Sequence, residues 1–287
     1  MADLMALREA DRLREEDPYS ARWADAFNTR LVPEQSRFEV DLNRPRDRAV
    51  YKAPEDAWGL DIWSQALDEE IVSESLARYD HFYSEMRRIL DDKQRRHGRF
   101  VVLDLHTYNH RRDGPDGPGS DPAGNPEVNV GTGSLDRGRW GALVDRFMAD
   151  LAGFDFLGRT LDVRENVRFQ GGYLSQWVHE NYPDSGCCLA IELKKFFMDE
   201  WTGEVYDAEH KAIARALAGA SARARGVSGR VRLVADSLQH VAGGVDEVVH
   251  LTLGGQRAHC VLGTGEHEHA LVHHAGVEGR FQALVAA

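Results

Sequence analysis

Apolar and polar residues alternate along the chain with two different spacings, which predict helices and strands in turn. Between residues 66 and 92, apolar residues recur three or four positions apart, the period of a helix with one buried face. We interpret this apolar stripe as core packing. Similar spacing predicts further helices at 3–16, 136–152, 172–181 and 207–224.

The strand pattern is clearest in two nearly continuous apolar runs, at 100–105 and 187–193. Such runs are typical of central strands that are covered on both faces by helices. Alternating apolar and polar residues over 37–42 predict a half-buried strand, and another short strand is expected near 160–163. Because strands alternate with helices, the predicted fold is α/β, a three-layer αβα sandwich around a mixed, mostly parallel sheet.

Two segments differ in composition from the rest of the chain. Residues 111–134 are rich in glycine and proline, which predicts a functional loop or lid. After about residue 226, short β-like runs separated by glycines contain seven of the 13 histidines. We therefore expect an α/β domain over 1–226 and a tail over 227–287 that is either a small β appendage or partly disordered.

The charge of the chain limits the classes of partner. Its 287 residues carry a net charge of −12, which repels nucleic acid and anionic lipid, so neither partner is expected. No apolar run approaches the ~20 residues of a membrane helix, and no signal peptide is apparent near Met1. The prediction is a cytoplasmic protein, monomeric or homo-oligomeric, that acts on a small molecule.

Two residues at buried strands are candidates for chemistry. His106 follows the 100–105 run directly, where catalytic groups and metal ligands collect in α/β sheets. Glu192 lies inside the apolar run at 187–193, and a buried carboxylate must be paired, bind a metal or face a site. Burial would raise its pKa toward the range of a general base. The structural alternative for Glu192 is a salt bridge to Lys194, Lys195 or Arg44.

Several polar residues could bind an anionic substrate. Asn43 and Arg44 combine an amide with a planar guanidinium that matches a carboxylate. Gly171 and Gly172 precede a predicted helix, where backbone amides can approach an anion. The acidic run 15–17, by contrast, is by itself typical of a solvated surface.

Five short motifs, taken in order, resemble the N-formylglutamate amidohydrolase family, which is related to zinc carboxypeptidases and aspartoacylases. They lie at 38–45, 102–106, 166–173, 190–195 and 197–200. The resemblance extends from roughly residue 10 to 215 and leaves the tail uncovered. It implies a zinc-dependent enzyme that hydrolyses the N-acyl bond of an N-acyl amino acid such as N-formylglutamate.

The resemblance also implies roles for individual residues. His106 would be a zinc ligand, and Glu192 would be the general base that activates the metal-bound water. The acidic run lies where the family has its second zinc ligand, with Glu16 the expected ligand and Asp17 beside it. The substrate would be contacted by Asn43 and Arg44 at its α-carboxylate, by Arg37 at its carbonyl, and by Arg168 at a second carboxylate.

One family feature is missing from this sequence. Family members carry a first zinc-ligand histidine near the start, whereas the first histidine here is His81. Three explanations remain open: the sequence begins downstream of the true start, zinc is held by two protein ligands and a substitute, or the enzyme is inactive. The alternative functions are therefore a non-catalytic carboxylate-binding protein on the same scaffold and a carboxypeptidase-type metallopeptidase.

Overall fold

A seven-stranded, mostly parallel sheet forms the centre of the described structure. The computed structural model describes residues 1–228, 248–252 and 261–262. The strands are β1 (Thr29–Leu31), β2 (Phe100–Tyr108), β3 (Val128–Gly131), β4 (Val163–Glu165), β5 (Gly186–Lys194), β6 (Val248–Thr252) and β7 (Val261–Leu262). Their order is β4-β3-β5-β2-β6-β1-β7. Only the β3–β5 and β1–β7 pairs among them are antiparallel, which confirms the predicted mixed sheet.

Helices flank this sheet on both faces. They are α1 (Glu9–Glu15), α2 (Ala21–Ala24), α3 (Glu69–His97), α4 (Arg137–Ala152), α5 (Tyr173–Asn181) and α6 (Asp207–Ser228). The long helix α3 begins where the Asp68 side chain accepts a hydrogen bond from the Ile71 amide. It ends at Gly98, whose φ of 74° favours glycine. No described helix combines the length and apolar composition that crossing a bilayer requires.

Two apolar clusters lie on opposite faces of the sheet and make it the middle of three layers. Val101, Leu103 and Leu105 of β2 join one cluster, whereas Phe100 and Val102 join the other. This separation arises because successive side chains of a strand point to opposite faces. The same alternation in β5 places Cys187 in the first cluster and Cys188 in the second, and both are fully buried. The predicted αβα sandwich is confirmed.

The prediction of a strand over 37–42 is wrong, because this segment forms turns. The alternating pattern instead reflects which side chains are buried, since Phe38, Val40 and Leu42 all lie in the interior. The intervening Asp41 accepts hydrogen bonds from the Asn43 amide and the Arg37 side chain, which holds the turn without a partner strand.

The prediction of one continuous loop over 111–134 is also wrong, because β3 lies inside it. This strand has only four residues and is flanked by glycine and proline, so its sequence signal is weak. It pairs with β5 and thereby forms part of the sheet beside Glu192.

Two segments from the C-terminal region join the main sheet. β6 lies between β1 and β2, and β7 pairs with β1, in agreement with the short β-like runs expected there. The other short β-like runs expected after residue 226, and the histidines between 267 and 274, lie outside the described residues. The domain boundary near residue 226 stays a prediction.

Candidate active site

The carboxyl ends of β2 and β5 bring the two strongest sequence candidates together. His106 of β2 is the register partner of Glu192 of β5 in a parallel pair, so both side chains point to the same face of the sheet. Asp104 lies two residues before His106 and points the same way. The site therefore occupies the end of the sheet where α/β proteins bind their ligands.

Carboxylates surround the His106 imidazole. Its Nε2 lies 2.8 Å from Asp104 Oδ1 and 3.2 Å from Asn43 Nδ2, while its Nδ1 lies 3.4 Å from Asp17 Oδ2. Burial alone would lower the pKa of His106, but the negative charges of Asp104, Asp17 and Glu192 outweigh it and raise this pKa well above its ordinary value. The pocket around His106 is thus strongly attractive to positive charge.

Asp17 is an ionised carboxylate in the interior. It is 2% exposed, and its Oδ1 accepts hydrogen bonds from the Thr107 amide at 2.6 Å and the Thr107 hydroxyl at 3.0 Å. Burial opposes its charge, yet the contact with His106, together with the charges of Arg37 and Lys195, lowers the pKa of Asp17. Its second oxygen, Oδ2, is the one directed at His106.

Glu192 is half-buried and has no ion-pair partner among the described residues. Burial raises its pKa to about 7, with His106 opposing and Asp17 supporting the rise. No ion pair joins its carboxylate to another residue in the described part of the chain, so the salt bridge weighed from the sequence does not form. Lys194 instead donates to the Asn125 carbonyl. A carboxylate with a pKa near neutrality can both accept and release a proton.

Glu16 is directed away from His106 in this conformation. Its carboxylate accepts hydrogen bonds from the Ser36 hydroxyl and, at 2.7 Å, from Arg12. Of the two acids proposed as metal ligands, only Asp17 therefore contacts His106.

A buried lysine holds the segment that carries these acids. Lys195 Nζ donates to the carbonyl oxygens of Arg14 and Glu16, the latter at 2.9 Å, and to Asn109 Oδ1 at 2.8 Å. Its side chain is almost fully buried, and burial lowers its pKa to about 8. The sequence suggests Lys195 only as a partner for Glu192, because the residues that Lys195 contacts in the structure are distant from it in the chain.

The arginines next to the site are held by Asp41. Arg37 donates to Asp41 Oδ2 at 2.9 Å, and Arg44 Nε lies 3.6 Å from the same oxygen. The Arg44 guanidinium lies over the Tyr51 ring, 4.3 Å from its centroid. This arrangement orients Arg44 while leaving guanidinium donors available for a ligand.

Asn43 links the arginine segment to His106 and to α5. Its Oδ1 accepts a hydrogen bond from the Leu174 amide at 2.9 Å, which directs its Nδ2 toward His106. A Cβ at position 172 would collide with the Asn43 side chain, so Gly172 is required for this close approach. Gly171 adopts a φ of 102°, which also favours glycine. Gly172 thus acts through its packing against Asn43, and Gly171 through its backbone conformation.

Arg168 lies at an exposed position on the turn before α5. It donates to Asn125 Oδ1 at 2.7 Å, and its guanidinium lies 5.2 Å from the Tyr108 ring centroid. The turn is held by Asn129, which accepts from the Arg168 amide at 2.9 Å and donates to the Phe169 carbonyl at 2.8 Å. Sequence reasoning missed Asn129 because it falls in the segment predicted as a loop.

The donors around His106 fit a divalent metal in part. Two ligands ~2.0–2.1 Å from one tetrahedral ion stand roughly 3.3 Å apart, close to the 3.4 Å between His106 Nδ1 and Asp17 Oδ2. Asp104 occupies the position of a carboxylate that orients a ligating histidine through its other nitrogen. Within the described residues, however, no three His, Cys, Asp or Glu side chains are grouped so that they could hold an ion.

Known proteins resemble this chain in fold. A solved N-formylglutamate amidohydrolase from Ralstonia eutropha matches with a TM-score of 0.53 and 17% identity, over 77% of this chain and 88% of that one. A gene product from Agrobacterium tumefaciens matches with a TM-score of 0.48 and 19% identity, over 74% of this chain and 78% of that one. No curated protein matches the sequence significantly.

The family assignment comes from the sequence itself. The model of the N-formylglutamate amidohydrolase family matches residues 1–198, which contain every site residue described above. The protein is therefore an α/β protein of the amidohydrolase class. It belongs to the N-formylglutamate amidohydrolase family, in agreement with the resemblance drawn from its motifs.

Proposed function

We propose that this protein hydrolyses the N-acyl amide bond of an acidic amino acid, with N-formyl-L-glutamate as the model substrate, and that it uses zinc. The observation that carries the proposal is the pairing of His106 and Glu192, side by side at the carboxyl ends of β2 and β5. This position lies at the end of the sheet where α/β proteins bind their ligands.

Glu192 is the proposed general base. It takes a proton from the attacking water as the new C–O bond forms, and returns a proton to the amine nitrogen as the C–N bond breaks. Its pKa of about 7 suits both transfers, and no ion pair with a described residue blocks its carboxylate. The products are the free amino acid and the carboxylic acid, which is formate for a formyl substrate.

His106 and Asp17 are the proposed zinc ligands, with Asp104 orienting the His106 ring. When bound, zinc would supply Lewis acidity to the acyl carbonyl and to the attacking water. A catalytic zinc normally has three protein ligands, so the two named here leave one position to be supplied by another donor.

Three arginines and one asparagine near this centre are proposed to bind the substrate. Asn43 and Arg44 hold the α-carboxylate, because Asn43 contacts His106 and Arg44, its neighbour in the chain, presents a guanidinium. Arg37 polarises the acyl carbonyl from its position on Asp41. Arg168, whose polar side-chain partner is the neutral Asn125, binds a second carboxylate at the exposed rim.

Release of formate from N-formyl-L-glutamate by the zinc-loaded protein tests this function. We expect turnover of this substrate, with little turnover of unblocked dipeptides that carry a free terminal carboxylate. Hydrolysis of the dipeptides instead would identify a carboxypeptidase-type metallopeptidase. Tight binding of N-formyl-L-glutamate without formate release would identify the non-catalytic binding protein, the alternative that the incomplete ligand set favours.

A further inference from the structure

A cavity lies beside the loop that follows β2. It has a volume of about 200 Å³, and neither His106 nor Glu192 is part of its lining. Three of its lining residues are arginines, although the chain as a whole carries a net charge of −12. A local charge opposite to that of the molecule attracts anions. The lining residues are Arg14, Glu15, Asn109, Arg111, Arg112 and Trp201.

Two of the three arginines are available for a ligand. Arg14 Nε lies 3.4 Å from Glu15 Oε1, so the acid of the cavity is already partnered. Within the described part of the chain, no ion pair involves the Arg111 or Arg112 side chain. The Arg111 guanidinium has one long hydrogen bond, 3.4 Å, to the Pro115 carbonyl. The charges of these two arginines act on Asp199 and Glu200 from a distance, so no described carboxylate occupies either guanidinium directly.

The walls of the cavity are fixed before any ligand arrives. Trp201 Nε1 donates to the Arg111 carbonyl at 2.9 Å, and the Arg111 amide donates to the Glu200 carboxylate. The Arg14 guanidinium lies 4.1 Å from the Trp201 ring centroid. Lys195 Nζ donates a hydrogen bond to Asn109 Oδ1 at 2.8 Å. A flat aromatic wall and the backbone that carries the arginines are thus preorganised, which lowers the entropic cost of binding.

We propose that this cavity binds the carboxylate of a small organic acid, at a site separate from the His106–Glu192 centre. A planar guanidinium matches a carboxylate through two parallel hydrogen bonds. A volume of about 200 Å³ has room for a small organic acid such as a short dicarboxylate.

The cavity shares its supporting segments with the proposed active centre. Arg14 and Glu15 lie in the segment that continues to Asp17, and Asn109 lies three residues after His106. The carboxylate has two possible sources: a separate organic acid, or the side chain of the substrate, which would then bind here and not at Arg168. The chemistry of recognition is the same for both sources.

Fluorine NMR of protein labelled with 5-fluorotryptophan tests binding without depending on the proposed hydrolysis. The Trp201 signal is assigned with Trp201→Phe, and glutarate is then titrated at constant ionic strength. We expect a saturable shift of this signal in the native protein and in Arg44→Gln, which removes the carboxylate ligand proposed for the active centre. The shift should be lost in Arg111→Gln/Arg112→Gln, whose replaced side chains are exposed.

Three results would overturn the proposal: no Trp201 shift, an equal shift in the Arg111→Gln/Arg112→Gln variant, or an equal or larger shift with glutaramide or inorganic phosphate. Steady-state kinetics then identify the source of the carboxylate. A tenfold or larger rise in KM for N-formyl-L-glutamate but not for N-formyl-L-leucine in the double variant assigns it to the substrate. An unchanged KM, with the Trp201 shift present, assigns it to a separate acid.

Discussion

In the proposed function, binding of the substrate's α-carboxylate depends most on Arg44. Its guanidinium is oriented by Asp41 and the Tyr51 ring, and hydrogen bonds to a charged group contribute about 1.5–3 kcal/mol. Arg44→Gln should therefore raise KM for N-formyl-L-glutamate roughly 10- to 100-fold while changing kcat much less. Steady-state measurement of formate release checks this.

Arg46→Gln is the matched control, because Arg46 is exposed and pairs with Asp80 on the surface. Its KM should equal that of the native protein. Equal KM values for the native protein and Arg44→Gln would remove Arg44 from the substrate-binding residues.

Gly172 shows how one missing side chain positions another. An added Cβ would overlap the Asn43 side chain, which is fixed by the Leu174 amide. Overpacking of this kind costs typically about 1–3 kcal/mol, so Gly172→Ala should lower the thermal midpoint by several degrees. Gly124→Ala, where nothing lies within 4 Å of the new Cβ, should leave the midpoint near the native value. Equal midpoints for the two variants would contradict the packing described around Asn43.

At the scale of elements, His179 joins α5 to β5 and makes this contact sensitive to pH. Its Nε2 accepts a hydrogen bond from the Cys188 amide at 3.0 Å, which requires a neutral ring. Burial lowers the pKa of His179 to about 4. Because the unfolded histidine titrates near 6.5, the unfolded state binds the proton first as pH falls. This contribution to stability is complete above pH 6.5 and is lost as pH falls toward 4.

Chemical unfolding at pH 7.5 and pH 5.0 measures this effect. The native protein should lose about 1–2 kcal/mol more unfolding free energy than His179→Gln between these two values. An identical loss in both proteins would show that the His179 ring does not carry the pH dependence.

The elements that could be predicted from the sequence are those with a strong local pattern. The apolar stripe predicted α3, and the continuous apolar runs predicted β2 and β5. β3 could not be predicted, because four residues between glycines and prolines do not establish a period and the strand is stabilised by its pairing with β5. The segment 37–42 was misassigned because burial alternates there without strand pairing.

The same distinction holds for the site. His106 and Glu192 were predicted because each stands out against an apolar strand. The supporting residues were not, because their roles depend on contacts between distant parts of the chain. Lys195 donates a hydrogen bond to the carbonyl of Glu16, which lies 179 positions earlier in the chain. No local sequence pattern predicts such a contact.

At the scale of the whole molecule, the proposed zinc site is assembled from distant segments of the chain. Asp17 and His106 are 89 positions apart and meet at 3.4 Å. The native protein should retain about one zinc per chain after dialysis against dilute chelator. Asp17→Asn and His106→Ala should each weaken zinc binding at least 10- to 100-fold. Elemental analysis with competitive titration measures both quantities.

Asp25→Asn is the control for this measurement, since Asp25 is an exposed acid on the same N-terminal segment. It should bind zinc as the native protein does. Native affinity in the Asp17→Asn/His106→Ala double variant would place any bound zinc elsewhere in the chain.

Measurement of kcat for N-formyl-L-glutamate shows whether Glu192 is the proton-transferring base of a hydrolase. Glu192→Gln keeps the size of the side chain but removes the basic carboxylate, so kcat should fall about 10²- to 10⁴-fold with zinc content unchanged. Glu180→Gln, an exposed change on α5, should retain native kcat. A kcat for Glu192→Gln within threefold of the native value would show that Glu192 is not the proton-transferring base.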